Sequence, residues 1–317
     1  MERLKCVILD DYQGVATSIG DWGALSDRVE VTTIREHLTG DELASRLEGC
    51  VILIVMRERT PIPAPLLERL PDLRLLITSG MRNASIDVKA ASERGVTVCG
   101  TRSFSEPPAE LTWALIFALT RNLHIELGNI KDGGWQTTLG SDLHGRTIGV
   151  VGLGKIGKQI VNVANAFGMR VNVWSPNLTE QRAQECAARL VTKEELFSKS
   201  DIVTLHLVLS SRSAGIVGRS ELELMQPHAL LINTSRAGLV DGAALENALV
   251  SRRIGGAGLD VFEQEPLPQT SIYRSLKNVV ATPHLGYVTR RNYTAYFEEA
   301  VEDITAFLKG TPVRVLS

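Results

Sequence analysis

A glycine-rich turn between a predicted strand and a predicted helix constrains the fold of this chain more than any other feature. The residues GVVGLGKIGKQI begin at Gly149 and place Gly152, Gly154 and Gly157 in the spacing G-x-G-x-x-G. With this spacing, the first glycine permits a tight turn, the second lets the backbone approach a pyrophosphate, and the third lets the helix pack against the strand. The amino end of the helix then offers free N–H groups to phosphates. The turn therefore predicts a parallel α/β domain that binds a dinucleotide.

The same residues come close to a second phosphate-binding motif. Residues 149–155 fit G-x-x-x-x-G-K, but Ile156 stands where Ser or Thr would have to hold magnesium. Hydrolysis of nucleoside triphosphates is therefore not expected, and no metal site is predicted. The predicted cofactor contacts of the turn are Gly152, Gly154, Lys155, Ile156 and Gly157.

The end of the next strand bears on the choice between NAD and NADP. Domains that prefer NAD usually end this strand with Asp or Glu, whose carboxylate binds the ribose 2′-OH and repels a 2′-phosphate. This sequence has Trp174, Ser175, Pro176 and Asn177 there, and no arginine follows immediately. We expect NAD as the cofactor, with NADP also possible, and contacts to it from Ser175, Pro176 and Asn177.

Short apolar runs alternate with helical patterns along the whole chain, which predicts parallel sheets with crossover helices. At about 150 residues per domain, 317 residues favour two domains. Strands are predicted at residues 4–9, 29–33, 50–55, 74–78 and 96–98, and then within IGVVG, RVNVW, IVTLH, ALLINT, GAGLDVF and NVVATPH. The segment SFSEPPAELTWALIFALTRNL predicts a buried helix that leads into the second domain, and residues 291–308 predict a final amphipathic helix.

Charge and cysteine usage exclude several classes of protein. With 34 Lys and Arg against 36 Asp and Glu, the net charge is −2, so neither nucleic acid nor an anionic membrane surface is an expected partner. The longest apolar stretch, residues 111–119, is too short to span a bilayer, and the first residues, MERLKCVILDDY, predict a strand and not a signal peptide. Four dispersed cysteines predict reduced thiols and a cytoplasmic protein: Cys6, Cys50, Cys99 and Cys186.

Three segments that end predicted strands carry polar residues where open α/β sheets bind ligands. They are INTSRAG with Arg236, GLDVFEQEP with Asp260 and Glu265, and TPHLG with His284. In this order after the glycine turn, they resemble the NAD(P)-dependent D-isomer-specific 2-hydroxyacid dehydrogenases, and the resemblance covers essentially the whole chain.

The resemblance implies two doubly wound parallel-sheet domains. A Rossmann dinucleotide-binding domain at residues 103–283 would be inserted into a flavodoxin-like substrate domain formed by residues 1–102 and 284–317. It also implies a homodimer.

The implied reaction transfers a hydride between a nicotinamide cofactor and C2 of a small D-2-hydroxy or 2-keto acid. Arg236 suits the substrate carboxylate and carbonyl because its planar guanidinium binds both. His284 suits the acid/base role, and Glu265 would orient it. By resemblance, Asp260 faces the nicotinamide. Oxidation of D-3-phosphoglycerate and an NAD(H)-sensing, corepressor-like binding function are the alternatives.

Other expected contacts follow from the same resemblance. His206, Val208 and Thr234 are expected at the cofactor, although HLVLSSRSAG departs from the His-x-Pro that relatives usually show. The substrate is expected to contact Arg236 and His284, and in the first domain Arg57, Met81 and Arg82. The segment GMRNASID departs from the family's G-x-G-x-D-N-I-D because Arg82 replaces a glycine.

Overall fold

The computed structural model describes residues 3–317 and divides the chain into two compact units. The discontinuous unit comprises the described part of Met1–Phe104 together with Val288–Ser317, and the continuous unit comprises Ser105–Tyr287. The two boundaries lie two and four residues beyond the predicted ones. His284, which the predicted division assigned to the substrate domain, therefore lies in the continuous unit.

A five-stranded parallel sheet forms the centre of the discontinuous unit, in the order β2-β1-β3-β4-β5. This is the flavodoxin-like order. Its strands are β1 (Leu4–Ile8), β2 (Val29–Thr33), β3 (Ile52–Val55), β4 (Leu75–Thr78) and β5 (Thr97–Gly100). All side chains of β3 and β4 are buried, as expected for central strands covered on both faces. The crossover helices are α1 (Gly40–Arg46), α2 (Ala64–Glu68) and α3 (Val88–Glu93).

The continuous unit is built around a seven-stranded parallel sheet. It begins with α4 (Glu106–Thr120) and α5 (Leu123–Lys131), and its strands are β6 (Thr147–Val151), β7 (Arg170–Trp174), β8 (Arg189–Leu190), β9 (Ile202–Leu205), β10 (Leu230–Asn233), β11 (Gly256–Leu259) and β12 (Val279–Ala281). The intervening helices are α6 (Lys155–Ala166), α7 (Glu180–Gln184), α8 (Lys193–Lys199), α9 (Arg219–Leu224) and α10 (Gly242–Val250). The strand order is β12-β11-β10-β9-β6-β7-β8, so the order reverses between β6 and β9. That reversal is where a Rossmann sheet binds its dinucleotide.

The last helix, α11 (Arg290–Leu308), belongs to the discontinuous unit. Four short 3-10 turns complete the described elements: Ala16–Ser18, Trp22–Leu25, Ala237–Leu239 and Ile272–Arg274.

The predicted fold class is confirmed, and every predicted strand is present with boundaries shifted by a few residues. Four elements were not predicted from the sequence: α5, α7, α9 and β8. Strand β8 has two residues, α7 has five and α9 has six, too few to show a period. Helix α5 has no buried residue, so it lacks the apolar face that a core pattern would reveal.

Within residues 3–317, no helix is both long and apolar enough to cross a membrane.

Candidate active site

The predicted site residues of the continuous unit all follow the ends of neighbouring strands. Because the strands are parallel, the loops after β6, β7, β9, β10, β11 and β12 share one edge of the sheet. Backbone hydrogen bonds connect these loops in sequence: the N–H of Asp260 donates to the carbonyl of Asn233 (3.0 Å), and that of Thr282 donates to the carbonyl of Leu259 (2.8 Å). Backbone hydrogen bonds that continue those of the sheet therefore hold the predicted site residues in place.

A side chain larger than hydrogen would have a different consequence at each glycine of the turn after β6. Gly152 has φ +102°, and a Cβ there would lie 2.8 Å from the carbonyl carbon and oxygen of His206. A Cβ on Gly157 would collide with the carbonyl oxygen of Gly152. A Cβ on Gly154 would meet no atom of residues 3–317 within 4 Å. Gly154 is the N-cap of α6 and faces open space, so the turn offers the cradle that a pyrophosphate needs.

The other predicted contacts of the turn lie next to this space. Lys155 is exposed and Ile156 is half-buried, and both are in the first turn of α6. They follow Gly154 directly, where a bound phosphate would meet the amino end of the helix.

The edge after β7 carries no carboxylate in residues 174–177. Ser175 is half-buried and its carbonyl accepts the Leu178 N–H at 3.1 Å, while Pro176 and Asn177 are exposed. A nearby cation, Lys193, lies 5.9 Å from the ring centroid of Trp174 and forms an ion pair with Glu221 at 3.0 Å. This segment therefore contains nothing to repel a 2′-phosphate, and Lys193 already has a carboxylate partner.

His206 and Val208 follow β9. His206 Nε2 and Thr204 Oγ1 are 2.9 Å apart, and burial of the imidazole lowers the pKa of His206 to about 3. The ring is therefore neutral at physiological pH, although part of the residue reaches solvent. Val208 is 78% exposed, which leaves its side chain accessible to a ligand at this edge.

Thr234 is buried and hydrogen-bonded within the unit. Its hydroxyl lies 2.7 Å from that of Thr112, and the Thr112 hydroxyl donates to the carbonyl of Pro108 at 2.8 Å. Because Thr112 uses its one proton on Pro108, Thr234 donates to Thr112. The Thr234 oxygen then keeps only acceptor capacity for a ligand.

Arg236 is presented by a braced turn. The Asn233 side chain donates to the Arg236 carbonyl at 2.9 Å and accepts the Ser235 N–H at 3.1 Å. The Arg236 Nη1 donates to the Ser235 carbonyl at 2.7 Å, which fixes one side of the guanidinium. The planar fork of the side chain is thereby oriented before any substrate arrives.

Asp260 holds the loop that carries His284. Its side chain is fully buried, and Oδ1 accepts the hydroxyl of Thr282 (2.6 Å) and the Leu285 N–H (2.7 Å). Its Oδ2 accepts the Gly286 N–H at 2.8 Å. Burial raises the pKa of Asp260, while these donors oppose the shift. The hydrogen bonds give Asp260 an anchoring role that the sequence analysis did not predict, and its contact with nicotinamide stays a prediction.

His284 and Glu265 form a close pair of titratable side chains at this edge. His284 Nδ1 lies 2.6 Å from Glu265 Oε2, and Glu265 Oε1 accepts the Phe262 N–H at 2.9 Å. The backbone of His284 is left-handed, with φ +53°, and its N–H donates to the Thr282 carbonyl at 2.9 Å. Within residues 3–317, Nε2 has no hydrogen-bond partner. The carboxylate therefore fixes the tautomer at Nδ1 and leaves Nε2 for proton exchange.

Tyr287, which the sequence analysis did not single out, packs against this imidazole. The two ring centroids are 5.6 Å apart with an interplanar angle of 77°. Tyr287 is buried, so the contact restricts rotation of the His284 ring. Thr112 and Thr282 were missed as well, since single threonines in a helix or after a strand carry no sequence signal of such roles.

The predicted substrate residues of the first domain lie together at the carboxyl edge of the five-stranded sheet. Arg57 follows β3, and its Nη1 donates to the carbonyl of Ser79, directly after β4, at 3.2 Å. Gly80 has φ +92°, and a Cβ there would collide with the Arg57 guanidinium. Met81 and Arg82 are exposed next to it. The glycine thus gives Arg57 its place beside this loop.

Comparison with known proteins gives consistent matches. Residues 113–286 match the family described as D-isomer specific 2-hydroxyacid dehydrogenase, NAD binding domain. The chain is 36% identical over 286 residues to D-3-phosphoglycerate dehydrogenase of Methanocaldococcus jannaschii, covering 89% of this chain and 54% of that protein. It is 33% identical over 310 residues to hydroxypyruvate reductase of Thermotoga maritima, covering 96% of this chain and 98% of that one.

A crystal structure of phosphoglycerate oxidoreductase from Vibrio cholerae O395 is similar with a TM-score of 0.92 at 38% identity, covering 97% of this chain and 99% of that chain. The chain spans about half the length of the phosphoglycerate dehydrogenases it matches, 54% and 48% of the first two.

Proposed function

The chain belongs to the D-isomer specific 2-hydroxyacid dehydrogenase family, and we propose from this premise that it is an oxidoreductase. It would transfer a hydride between a nicotinamide cofactor and C2 of a small D-2-hydroxy or 2-keto acid. The observation that carries the proposal is the 2.6 Å pair of His284 and Glu265 at the carboxyl edge of the dinucleotide-binding sheet. The corepressor-like alternative is not proposed, because the relatives and the solved structure compared above are named as enzymes.

The residues of the turn after β6 fit a dinucleotide. Gly154 faces open space at the amino end of α6, where free N–H groups can bind the pyrophosphate. We propose NAD as the cofactor and expect NADP to be accepted too, because residues 174–177 contain no carboxylate to repel its 2′-phosphate. His206, Val208 and Thr234 are proposed to contact the cofactor along the same edge.

A reduced nicotinamide cofactor held at the turn after β6 would supply the hydride that C2 accepts in the direction of keto-acid reduction. His284 donates the Nε2 proton to the carbonyl oxygen as the alkoxide forms, while its Nδ1 proton stays on the hydrogen bond to Glu265. The negative charge of Glu265 stabilises the imidazolium before the transfer. Arg236 binds the substrate carboxylate and polarises the carbonyl with its braced guanidinium. Oxidation of the hydroxy acid uses the same groups in reverse.

Glyoxylate and hydroxypyruvate are proposed as substrates, with D-3-phosphoglycerate as the second candidate. The similarity to both kinds of relative supports this pair. Arg57 and Arg82, two cations at one sheet edge, suit a carboxylate or a phosphate, and the backbone amides of Met81 and Arg82 are proposed as further donors.

A spectrophotometric panel tests the proposal. Glyoxylate, hydroxypyruvate and other 2-keto acids are each run with NADH and with NADPH, and D-3-phosphoglycerate is run with both oxidised cofactors. We expect turnover of at least one small 2-keto acid. Lack of turnover across the whole panel, in a protein that binds NADH, would favour a binding role instead.

We also propose a homodimer in the cytoplasm. Helix α5 and the segment after it expose an unusual set of large apolar side chains, which is typical of a protein interface: Leu123, Leu127, Ile130, Trp135 and Leu139. The four cysteines are unpaired, which is typical of a reducing compartment.

A further inference from the structure

A cavity of about 390 Å³ lies in the continuous unit between α10, the turn Ala237–Leu239 and the segment after β11. Its volume is within the range of small-molecule sites. Leucine side chains from α10, from the end of β11 and from the segment after β11 form part of its wall: Leu245, Leu259 and Leu267. Phe262 and Tyr273 add an aromatic pair with ring centroids 6.0 Å apart. The wall is thus suited to an apolar or aromatic body.

The charged residues of this cavity are all acidic. Glu246 and Glu263 line it, and no lysine or arginine does. Neither carboxylate has a hydrogen-bond or ion-pair partner within residues 3–317. Glu263 lies against α10, where a Cβ on Gly242 would come within 2.8 Å of its Oε1. Two carboxylates without a cation therefore share the rim of one cavity.

The hydroxyl of Tyr273 is a further polar group of this cavity. Within the described residues it has no hydrogen-bond partner, so it keeps a donor and an acceptor for a ligand. Burial raises the pKa of Tyr273, and Glu246 and Glu263 raise it further. Both carboxylates therefore act on the hydroxyl, and the group stays protonated.

We propose that this cavity binds a small organic cation: a protonated amine or a guanidinium group carried on an apolar or aromatic body. The carboxylates of Glu246 and Glu263 supply the opposite charge. The faces of Phe262 and Tyr273 attract a cation through their quadrupoles and pack against the body.

The cavity adjoins the candidate active site, and Asn233, whose side chain braces Arg236, lies in its wall. Gln264 and Ala237 line it, and they are the neighbours of Glu265 and Arg236 in the chain. The Phe262 N–H donates to Glu265 Oε1, so an occupant packs against the segment that orients the acid/base pair. Binding itself does not depend on the proposed dehydrogenase activity.

Isothermal titration calorimetry with 2-phenylethylamine tests the proposal, and 2-phenylethanol serves as the uncharged analogue of the same shape. With NADH present, we expect the amine to bind at least about tenfold more tightly than the alcohol, a difference of about 1.4 kcal/mol. Glu246→Gln and Glu263→Gln should each weaken the amine about threefold, in the range of exposed ion pairs. Glu194→Gln, an exposed carboxylate on α8, is the matched control and should leave the affinity unchanged.

Three results would overturn the proposal. They are equal affinity for amine and alcohol, unchanged affinity of the amine for the Glu246→Gln/Glu263→Gln double variant, and loss of amine binding once NADH saturates the protein. The last result would place the amine in the dinucleotide site. Since heat of binding is measured and not turnover, failure here is distinguishable from failure of the dehydrogenase proposal.

Discussion

Asp260→Asn is expected to uncouple the His284 loop from the sheet while nearly preserving the shape of the side chain. Asn offers one acceptor oxygen where Asp260 offers two, and three donors point at it, at 2.6, 2.7 and 2.8 Å. If the amide oxygen keeps Thr282 and Leu285, its NH₂ faces the Gly286 N–H, and a buried donor loses its acceptor.

The expected magnitude follows from that lost acceptor. A buried N–H without a partner costs about 1–3 kcal/mol. Since 1.36 kcal/mol corresponds to a tenfold rate change, kcat should fall about 5- to 160-fold if the cost appears as disorder of the His284 loop. The affinity for NADH should change much less, because the glycine turn lies at another part of the edge.

The assay measures kcat with the best keto acid of the panel, the Kd of NADH by fluorescence, and the thermal midpoint. Asp241→Asn is the matched control, since Asp241 caps α10 through one bond to the Ala244 N–H and Asn caps equally well. Thr282→Val removes only the hydroxyl donor and serves if Asp260→Asn does not fold. Unchanged kcat with weakened NADH binding in Asp260→Asn would refute the anchoring role and favour the predicted nicotinamide contact.

Three further predictions concern other parts of the chain. Gly157→Ala should lower the thermal midpoint, because its Cβ meets the Gly152 carbonyl. Gly154→Ala should keep the midpoint and weaken NADH binding about tenfold or more, measured by calorimetry. Equal effects of the two substitutions would contradict the roles assigned to these glycines. Leu139 is 95% exposed, and Leu139→Asp should convert the proposed dimer to a monomer, as measured by light scattering. Val250→Asp, on α10, is the control and should leave the assembly unchanged. Burial raises the pKa of Asp303 to about 7, with Glu299 and Glu302 adding to the shift and Arg314 opposing it. The folded state thus holds this proton more tightly than the unfolded state, so its stabilisation is fully present below the unfolded pKa of 3.8 and lost as pH rises through about 7. Asp303→Asn should therefore flatten the fall of the thermal midpoint between about pH 4 and pH 8, and an unchanged slope would contradict the shift.

The sequence predicts the sheets well because buried parallel strands leave a plain signal. ILIV in β3 and TIGVV in β6 are apolar runs of strand length bounded by turns. The glycine turn is equally readable, since Gly152 and Gly157 meet steric demands within the fold and Gly154 leaves open space for a ligand. Strand β8 and helix α7 are not readable, because they are short and mostly exposed, with Ala183 the one buried residue of α7.

The candidate site is only partly readable from sequence. Arg236, Glu265 and His284 could be singled out because each follows a strand end in a recognisable segment. The anchoring by Asp260 could not, because it depends on three donors 22 to 26 residues away that the fold brings to one carboxylate. The same holds for Thr112, whose hydroxyl meets Thr234 from 122 residues away.

The most direct test of the proposed acid/base role is the turnover of His284→Gln measured together with its NADH affinity. The glutamine amide can reach the position of the imidazole Nε2, but it does not titrate near neutral pH and cannot transfer a proton. We expect kcat to fall about 100- to 10,000-fold, the range of general acid/base catalysis, while the Kd of NADH stays within about twofold. A variant that oxidises NADH with a 2-keto acid at the wild-type rate would contradict the central claim.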